Sequence, residues 1–241
     1  MTDIRLRSWA MTHPGVKRTH NEDTYVARPD LGVWAVADGA GGHQAGEVAS
    51  GMIAEALEAI PSGLSASELL AQVRMQIEST HAALRALAMQ RGPNVTVAST
   101  VVVLLARNEH FACLWAGDSR VYLLRGGEFR QITRDHSLVQ ELIDSGAITP
   151  AEAEGHPRAN VITRAVGADV EEFVLDKVSG RLMAGDRFLL CSDGLCKTLP
   201  GAQLAELLGA DDGVPWPQAM IAAALAMNAS DNVTAVTVEA V

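Results

Sequence analysis

Four aspartates, each next to a small or turn-forming residue, are the best candidates for chemistry in this chain. They are Asp38, Asp118, Asp193 and Asp231, followed by Gly, Ser, Gly and Asn. We expect each carboxylate to lie where an apolar strand leaves a sheet. One such aspartate is most often a turn residue, but four together in an acidic chain predict converging oxygen ligands for Mg²⁺ or Mn²⁺. Zinc would prefer His or Cys, and no His pair here has ligand spacing.

A glycine-rich segment begins at the first of these aspartates and reads Asp-Gly-Ala-Gly-Gly-His over residues 38–43. It opens a helix, as phosphate-binding loops do. It lacks the lysine of a nucleotide P-loop and does not fit the dinucleotide fingerprint. The glycines therefore indicate close approach of the backbone to something small, such as a metal shell. The backbone carbonyl of Gly39 becomes a possible metal ligand.

A third segment places Arg18 close to two carboxylates, Glu22 and Asp23. These residues could form a surface ion-pair cluster, which contributes little to stability. If a metal shell occupies the carboxylates, Arg18 instead stays free to bind a phosphate with its guanidinium fork. The residues of this segment alone leave both readings open.

Charge and composition exclude several classes of protein. The net charge is -10, from 19 Lys and Arg against 29 Asp and Glu, so the surface repels nucleic acids and anionic membranes. The 3 cysteines are sparse and lack zinc spacing, which is typical of buried thiols in a reducing compartment. The apolar stretches are too short to span a bilayer. We expect a soluble, cytoplasmic monomer.

The elements that must position these residues follow from periodicity. Residues 31–37, 95–106, 111–116 and 120–124 are expected to form strands. Residues 47–60 have apolar positions at helical spacing. Capping boxes at Ser65–Glu68 and Thr149–Glu152 begin two further helices. Strands come in runs and helices in pairs, which favours an α+β layered sandwich. No linker divides the chain, so residues 1–241 are expected to form one domain.

The motifs, taken in order, resemble those of the PP2C-type (PPM) metal-dependent protein Ser/Thr phosphatases, in the form of a stand-alone bacterial catalytic domain. The resemblance covers residues 15–238, and its blocks are 18–23, 38–43 with 46–50, 99–100, 117–122, 133–137, 160–164, 186–195 and 230–234. It implies a four-layer α-β-β-α sandwich of two antiparallel sheets flanked by helix pairs. It also implies a variable flap at about residues 137–159.

The resemblance assigns roles to matching positions. It implies two Mn²⁺ or Mg²⁺ ions per site, bridged by Asp38, with Asp193 and Asp231 on the first and the Gly39 carbonyl on the second. Glu22 and Asp23 would act on the shell of the second ion, and Arg18 would bind the substrate phosphate. Asp118, with Asp193, matches the position of a weaker third ion in bacterial members.

The implied reaction is hydrolysis of phosphoserine or phosphothreonine in proteins by a metal-activated bridging water. No phosphoenzyme is needed. The expected partners are phosphorylated proteins and a bacterial Ser/Thr kinase that the enzyme opposes. Eukaryotic relatives have a histidine at the position of Ala40, so the proton donor differs here. The alternatives are a pseudophosphatase that only binds phosphoproteins and a phosphohydrolase for small molecules.

Overall fold

Two antiparallel sheets form the centre of the fold in the computed structural model, which describes residues 4–41, 45–153, 155–169 and 173–241. The strands are β1 (Leu6–His13), β2 (Asp23–Arg28), β3 (Val33–Ala40), β4 (Ala98–Ser99), β5 (Val101–Arg107), β6 (His110–Ala116), β7 (Arg120–Arg125), β8 (Glu128–Gln131), β9 (Asp176–Arg181), β10 (Arg187–Cys191) and β11 (Val233–Ala240). One sheet has the order β1-β11-β10-β7-β8, and the other has the order β2-β3-β5-β6-β9 with β4 paired to β3.

The outer face of each sheet is covered by a pair of helices. The helices in the described ranges are α1 (Ala45–Glu58), α2 (Ala66–Arg91), α3 (Leu138–Asp144), α4 (Pro150–Ala153), α5 (Asp193–Cys196), α6 (Gly201–Gly209) and α7 (Trp216–Ala226). Helices α1 and α2 pack on the six-stranded sheet, and α6 and α7 pack on the five-stranded one. No helix in the described ranges is both long and apolar enough to cross a membrane.

Three apolar layers hold the four structural layers together. The middle layer lies between the sheets and includes the fully buried Trp34 and Phe188. The two outer layers lie between each sheet and its helices, around Leu57 and Leu204 respectively. This arrangement confirms the predicted four-layer sandwich. The central strands β3, β5, β10 and β11 are buried along most of their length, as expected of strands covered on both faces.

The local signals in the sequence are largely confirmed. Ser65 and Glu68 form the predicted reciprocal capping box at the start of α2, and Gly126 and Gly127 both have positive φ in the turn between β7 and β8. Strands β1 and β2 were not predicted. They are edge strands with mixed burial, so their apolar pattern is weak.

The predicted flap region contains α3 and α4. Neither helix has a buried residue. Ser137 caps α3 by accepting a hydrogen bond from Gln140 N at 3.3 Å, and it pairs with Ile162 in a single β-bridge. The region is therefore attached at its base, and none of its described residues from 138 to 159 is buried.

His81 on α2 links that helix to the segment after the flap. It is 9% exposed, its Nδ1 accepts a hydrogen bond from Gly167 N at 2.9 Å, and its ring stacks on Phe173. Burial, with a smaller effect from the charge of Arg85, lowers the pKa of His81 below its usual 6.5. The hydrogen bond needs the unprotonated Nδ1, so the folded state holds the neutral ring.

We expect wild-type protein to lose more stability than His81→Asn on acidification. A group with a lowered folded pKa contributes stability that is present above its unfolded pKa and is lost as the pH falls below about 6.5. Asparagine Oδ1 can accept from Gly167 N but does not titrate in this range. Urea unfolding between roughly pH 7.5 and 5.5 measures the difference, and His110→Asn, at an exposed histidine, is the control. Parallel pH profiles for wild type and His81→Asn would contradict the assignment.

Candidate metal centre

The hairpin of β2 and β3 brings two of the predicted residues together. Asp23 and Asp38 are direct cross-strand partners, so their side chains leave the same face of the sheet, with Cβ atoms about 5 Å apart. Asp38 is further fixed through its backbone, because its carbonyl accepts from Thr100 N at 2.8 Å and from Ser99 Oγ at 2.9 Å. The Ser99-Thr100 motif thus positions the carboxylate that was predicted to bridge two metals.

Gly39 lies where three segments meet. Its N–H donates to the carbonyl of Glu22 at 3.1 Å. A Cβ at Gly39 would lie 2.8 Å from that carbonyl oxygen and would overlap the carbonyl of Gly46 at the start of α1. Glycine is therefore required for this approach of the backbone, and Glu22 is held beside the Gly39 peptide.

Asp193 and Asp231 lie next to strands β10 and β11 of the other sheet. Asp193 begins the short helix α5, directly after β10 and Ser192. Asp231 lies between α7 and β11, so the expectation that a strand runs into this aspartate is wrong. The segment from Ala223 to Ala229 is a helix end and a turn, because α7 continues to Ala226.

Arg18 pairs with Asp231, one of the four aspartates singled out in the sequence. Arg18 Nε lies 3.0 Å from Asp231 Oδ1, and its Nη2 donates to Asp231 Oδ2 at 3.0 Å. Gly15, with φ of +79°, lies against the Asp231 backbone, and Val16 N donates to the carbonyl of Ala229 at 2.9 Å. The segment that carries Arg18 is therefore anchored at the aspartate cluster, where its guanidinium fork is about half-exposed.

Asp118 lies in the turn between β6 and β7 and is only 2% exposed. Its Oδ2 accepts a hydrogen bond from Lys197 Nζ at 3.0 Å, and the same ammonium donates to Asp193 Oδ2 at 2.7 Å. Lys197 was not identified from the sequence. Its spacing of four residues from Asp193 is the signal that could have found it, since residues four apart share a helix face.

The carboxylates repel one another strongly. Burial, with added repulsion from Asp23, Asp193 and Asp118, raises the pKa of Asp38 well above its usual range. Burial also raises the pKa of Asp23 to about 7, against the opposing hydrogen bonds from Ser192 and Thr234. Such carboxylates are ionised at neutral pH only when positive charge is close, so the cluster is suited to binding cations.

The donor set fits divalent cations in its chemistry. Asp23 Oδ1 and Asp118 Oδ1 are buried without a hydrogen-bond partner among the described residues, and oxygen donors suit Mg²⁺ and Mn²⁺. No three His, Cys, Asp or Glu side chains in the described ranges already form a metal-ligand group. Arg18 and Lys197 contact the carboxylates instead. The Arg18–Asp231 pair is exposed, so a cation can displace it at little cost.

A hydrogen-bond network fixes the carboxylate of Asp23, and it was not predicted from the sequence. Asp23 Oδ2 accepts from Ser192 Oγ and Thr234 Oγ1, both at 2.7 Å. Thr234 Oγ1 in turn lies 2.7 Å from Thr12 Oγ1 on the neighbouring strand, and Thr12 Oγ1 accepts from Asn21 Nδ2 at 2.8 Å. The two sheets are thus joined at one metal-ligand candidate.

Thr234→Val is expected to lower the free energy of unfolding by about 1–3 kcal/mol, because a buried carboxylate oxygen loses a donor. It is also expected to weaken Mn²⁺ binding roughly 10-fold, as loss of an outer-shell partner does. Urea unfolding in chelator and calorimetric titration with Mn²⁺ measure the two effects.

Thr237→Val is a matched control on the same strand. Thr237 is fully buried and its hydroxyl has no partner among the described residues, so removing that hydroxyl should be neutral or stabilising. Equal destabilisation by the two substitutions would show that the hydroxyl of Thr234 has no special role.

Comparison with known proteins places the chain in a family. Residues 16–227 match the family described as protein phosphatase 2C. The chain belongs to the protein phosphatase 2C family. The match includes the six-stranded sheet, strands β7, β8 and β10 of the five-stranded one, and all of the predicted metal ligands except Asp231, which lies just beyond it.

Named relatives of this PP2C chain are bacterial Ser/Thr phosphatases. The serine/threonine protein phosphatase PstP of Mycobacterium tuberculosis is 36% identical over 236 residues. That alignment covers 98% of this chain and 45% of PstP, so the chain spans less than half of that relative.

Solved structures share the whole fold. PppA, described as a key regulatory component of T6SS in Pseudomonas aeruginosa, is 40% identical with a TM-score of 0.91, and 99% of each chain is covered. The catalytic domain of PstP in complex with 2 manganese ions is 35% identical with a TM-score of 0.83, covering 100% of each chain. A PP2C domain of this fold therefore binds two manganese ions.

Proposed function

We propose that this PP2C chain hydrolyses phosphoserine and phosphothreonine in proteins. The observation that carries the proposal is the convergence of Asp38, Asp193 and Asp231 from separate elements, with the guanidinium fork of Arg18 at their exposed edge. The names of the relatives support the same activity. A pseudophosphatase would be expected to have lost these carboxylates, and this chain retains them.

Asp38, Asp193, Asp231 and the Gly39 carbonyl would hold two Mn²⁺ or Mg²⁺ ions, with Glu22 and Asp23 acting on their hydration shell. Two such ions, when bound, supply an activated water and neutralise the phosphoryl oxygens. The chain contributes the position of each ligand. The backbone of Asp38 is fixed by the hydroxyl of Ser99 and the N–H of Thr100, and the side chain of Asp23 by the hydroxyls of Ser192 and Thr234.

Arg18 would bind the substrate phosphate. Its two nitrogens now face the two oxygens of Asp231, and the same planar fork matches two oxygens of a phosphate. If Asp231 were to hold a metal, the guanidinium of Arg18 would be free at the exposed edge of the site. Arg18 also offsets the negative field of the chain, which would otherwise repel an anionic substrate.

The test is release of phosphate from a phosphothreonine peptide, with and without Mn²⁺, followed by addition of a chelator. We expect release that requires the metal, stops with chelator and is absent in Asp193→Ala. No release from a folded protein that binds Mn²⁺ would favour the phosphoprotein-binding alternative. Release that persists in chelator would overturn the metal mechanism.

We further propose that residues 1–241 act as one domain, monomeric and cytoplasmic, with residues 137–159 as a flap beside the site. The exposed helices α3 and α4 support the flap, and the three unpaired cysteines support a reducing compartment. The expected partners are phosphorylated proteins and the Ser/Thr kinase that the phosphatase opposes. Light scattering of the purified chain tests the monomer.

A further inference from the structure

The ammonium of Lys197 lies where the resemblance predicted a third metal ion. Nζ donates to Asp193 Oδ2 at 2.7 Å and to Asp118 Oδ2 at 3.0 Å. It also donates to Asn160 Oδ1 at 3.1 Å. A lysine ammonium has three N–H donors, and here the three acceptors are supplied by three different parts of the chain.

The local fold places this lysine firmly. Lys197 is the C-cap of α5, and its backbone N–H donates to the carbonyl of Asp193 at 2.8 Å. Asp118 on the opposite side is fixed in a buried turn, where Gly117 N donates to His136 Nδ1 and His136 N donates to the Gly117 carbonyl. The ammonium is therefore held between two immobile carboxylates, with its side chain one-third exposed.

A divalent ion at this place would compete directly with the ammonium. Carboxylate ligands of Mg²⁺ or Ca²⁺ lie about 2.0–2.6 Å from the ion, so an ion bound by these two Oδ2 atoms would occupy nearly the volume of Nζ. Repulsion between the two cations would be large at such a distance. The ammonium is held in this position by its contacts with both carboxylates.

Asp118 alone does not provide a substitute site. Its Oδ1 is buried without a hydrogen-bond partner in the described structure, but a single oxygen next to an ammonium is a poor ligand set for a hard cation, which takes six or more oxygens. Asn160, at the end of the flap region, is an acceptor for the same ammonium rather than a further metal ligand.

We propose that Lys197 replaces the third metal ion in this chain. The site then takes two divalent cations, and the lysine ammonium joins Asp118, Asp193 and Asn160, which directly follows the flap. This inference rests on the proposed two-metal site. Lys197 is a positioning residue: it orients Asp193 for its metal and connects the base of the flap to the cluster without contacting substrate.

The test is the number of Mn²⁺ ions bound per chain, from equilibrium dialysis with metal analysis and from calorimetric titration. We expect two in the wild type, two in Lys197→Arg and three in Lys197→Met, which keeps the length and removes the charge. Lys177→Met, at an exposed lysine on β9, is the matched control and should bind two. Asp118→Asn in the Lys197→Met background should return the number to two.

Three outcomes would overturn the inference. Three ions in the wild type, with one lost in Asp118→Asn, would show that Lys197 yields to a metal and would leave the proposed function intact. Two ions in both wild type and Lys197→Met would show that the lysine is not what excludes a third. No bound Mn²⁺ in any folded variant would overturn the two-metal site and this inference with it. Circular dichroism checks folding, and Lys197→Gln provides a second uncharged variant.

Discussion

Asp38→Asn is expected to lower kcat/KM by more than about 100-fold and to abolish tight binding of a pair of Mn²⁺ ions. Loss of an outer-shell partner costs about 10–100-fold in metal affinity or activity, and a ligand shared by two ions should cost more. Asparagine keeps the size of the side chain but removes one anionic oxygen. Peptide dephosphorylation and Mn²⁺ titration measure the two effects.

The same substitution should stabilise the metal-free protein. Burial and the neighbouring carboxylates Asp23, Asp193 and Asp118 oppose ionisation of Asp38, and a neutral amide removes that repulsion. For a metal ligand, the substitution raises stability in chelator and lowers activity in Mn²⁺. Loss of a structural residue would lower both stability and activity. Such a pattern is typical of functional sites, where activity is maintained at the expense of stability.

Asp30→Asn is the matched control. Asp30 lies in the turn of the same β2–β3 hairpin and is exposed, paired with Arg28. Its replacement should change neither Mn²⁺ binding nor kcat/KM. Full turnover by Asp38→Asn would overturn the assignment of Asp38 as the bridging ligand.

The local features of the fold could be predicted from the sequence because they depend on neighbouring residues. The capping boxes, the glycine turn after β7 and the apolar strand β3 each follow from a few consecutive side chains. The α+β class followed from the order of strands and helices. The edge strands β1 and β2 were missed, because their burial depends on sheet partners far away in the chain.

The candidate site could be predicted as a set of residue types but not as a geometry. Arg18 and Asp231 are 213 positions apart. The pairing of β1 with β11 and the hydrogen bond from Val16 N to the Ala229 carbonyl bring their segments together. The sequence alone left Arg18 between two readings for this reason. Asp231 was placed after a strand because the segment from Ala229 to Asn232 has the same pattern as those around the other three aspartates, but it follows the end of α7 and a turn.

The side chains that hydrogen-bond to the carboxylates were the hardest to predict from the sequence. Ser192, Thr234 and Asn232 are ordinary strand and turn residues, and their importance comes from hydrogen bonds to Asp23 and Glu22 across the sheets. Lys197 had a visible spacing from Asp193, but its second partner, Asp118, is 79 positions away. Residues 42–44, including His43 of the glycine-rich segment, lie outside the described ranges.

Arg18→Ala is expected to raise KM by about 10–100-fold and to change kcat much less. Hydrogen bonds to charged groups contribute about 1.5–3 kcal/mol, and loss of ground-state binding appears in KM. Mn²⁺ affinity should be unchanged or tighter, because the guanidinium competes with the metal for Asp231. Steady-state kinetics on the phosphothreonine peptide and Mn²⁺ titration give both values.

Two further variants separate substrate binding from charge alone. Arg18→Lys keeps the charge but not the planar fork, so its KM should lie between those of wild type and Arg18→Ala. Arg28→Ala removes a guanidinium that faces Asp30 in the same two-pronged way, at 3.0 and 2.8 Å, but away from the cluster. An equal rise in KM for Arg18→Ala and Arg28→Ala would indicate a general effect of surface charge. If KM rises in Arg18→Ala but not in Arg28→Ala, and Mn²⁺ binding is unchanged, weakened metal binding is excluded as the cause. The guanidinium of Arg18 must then contact the phosphate.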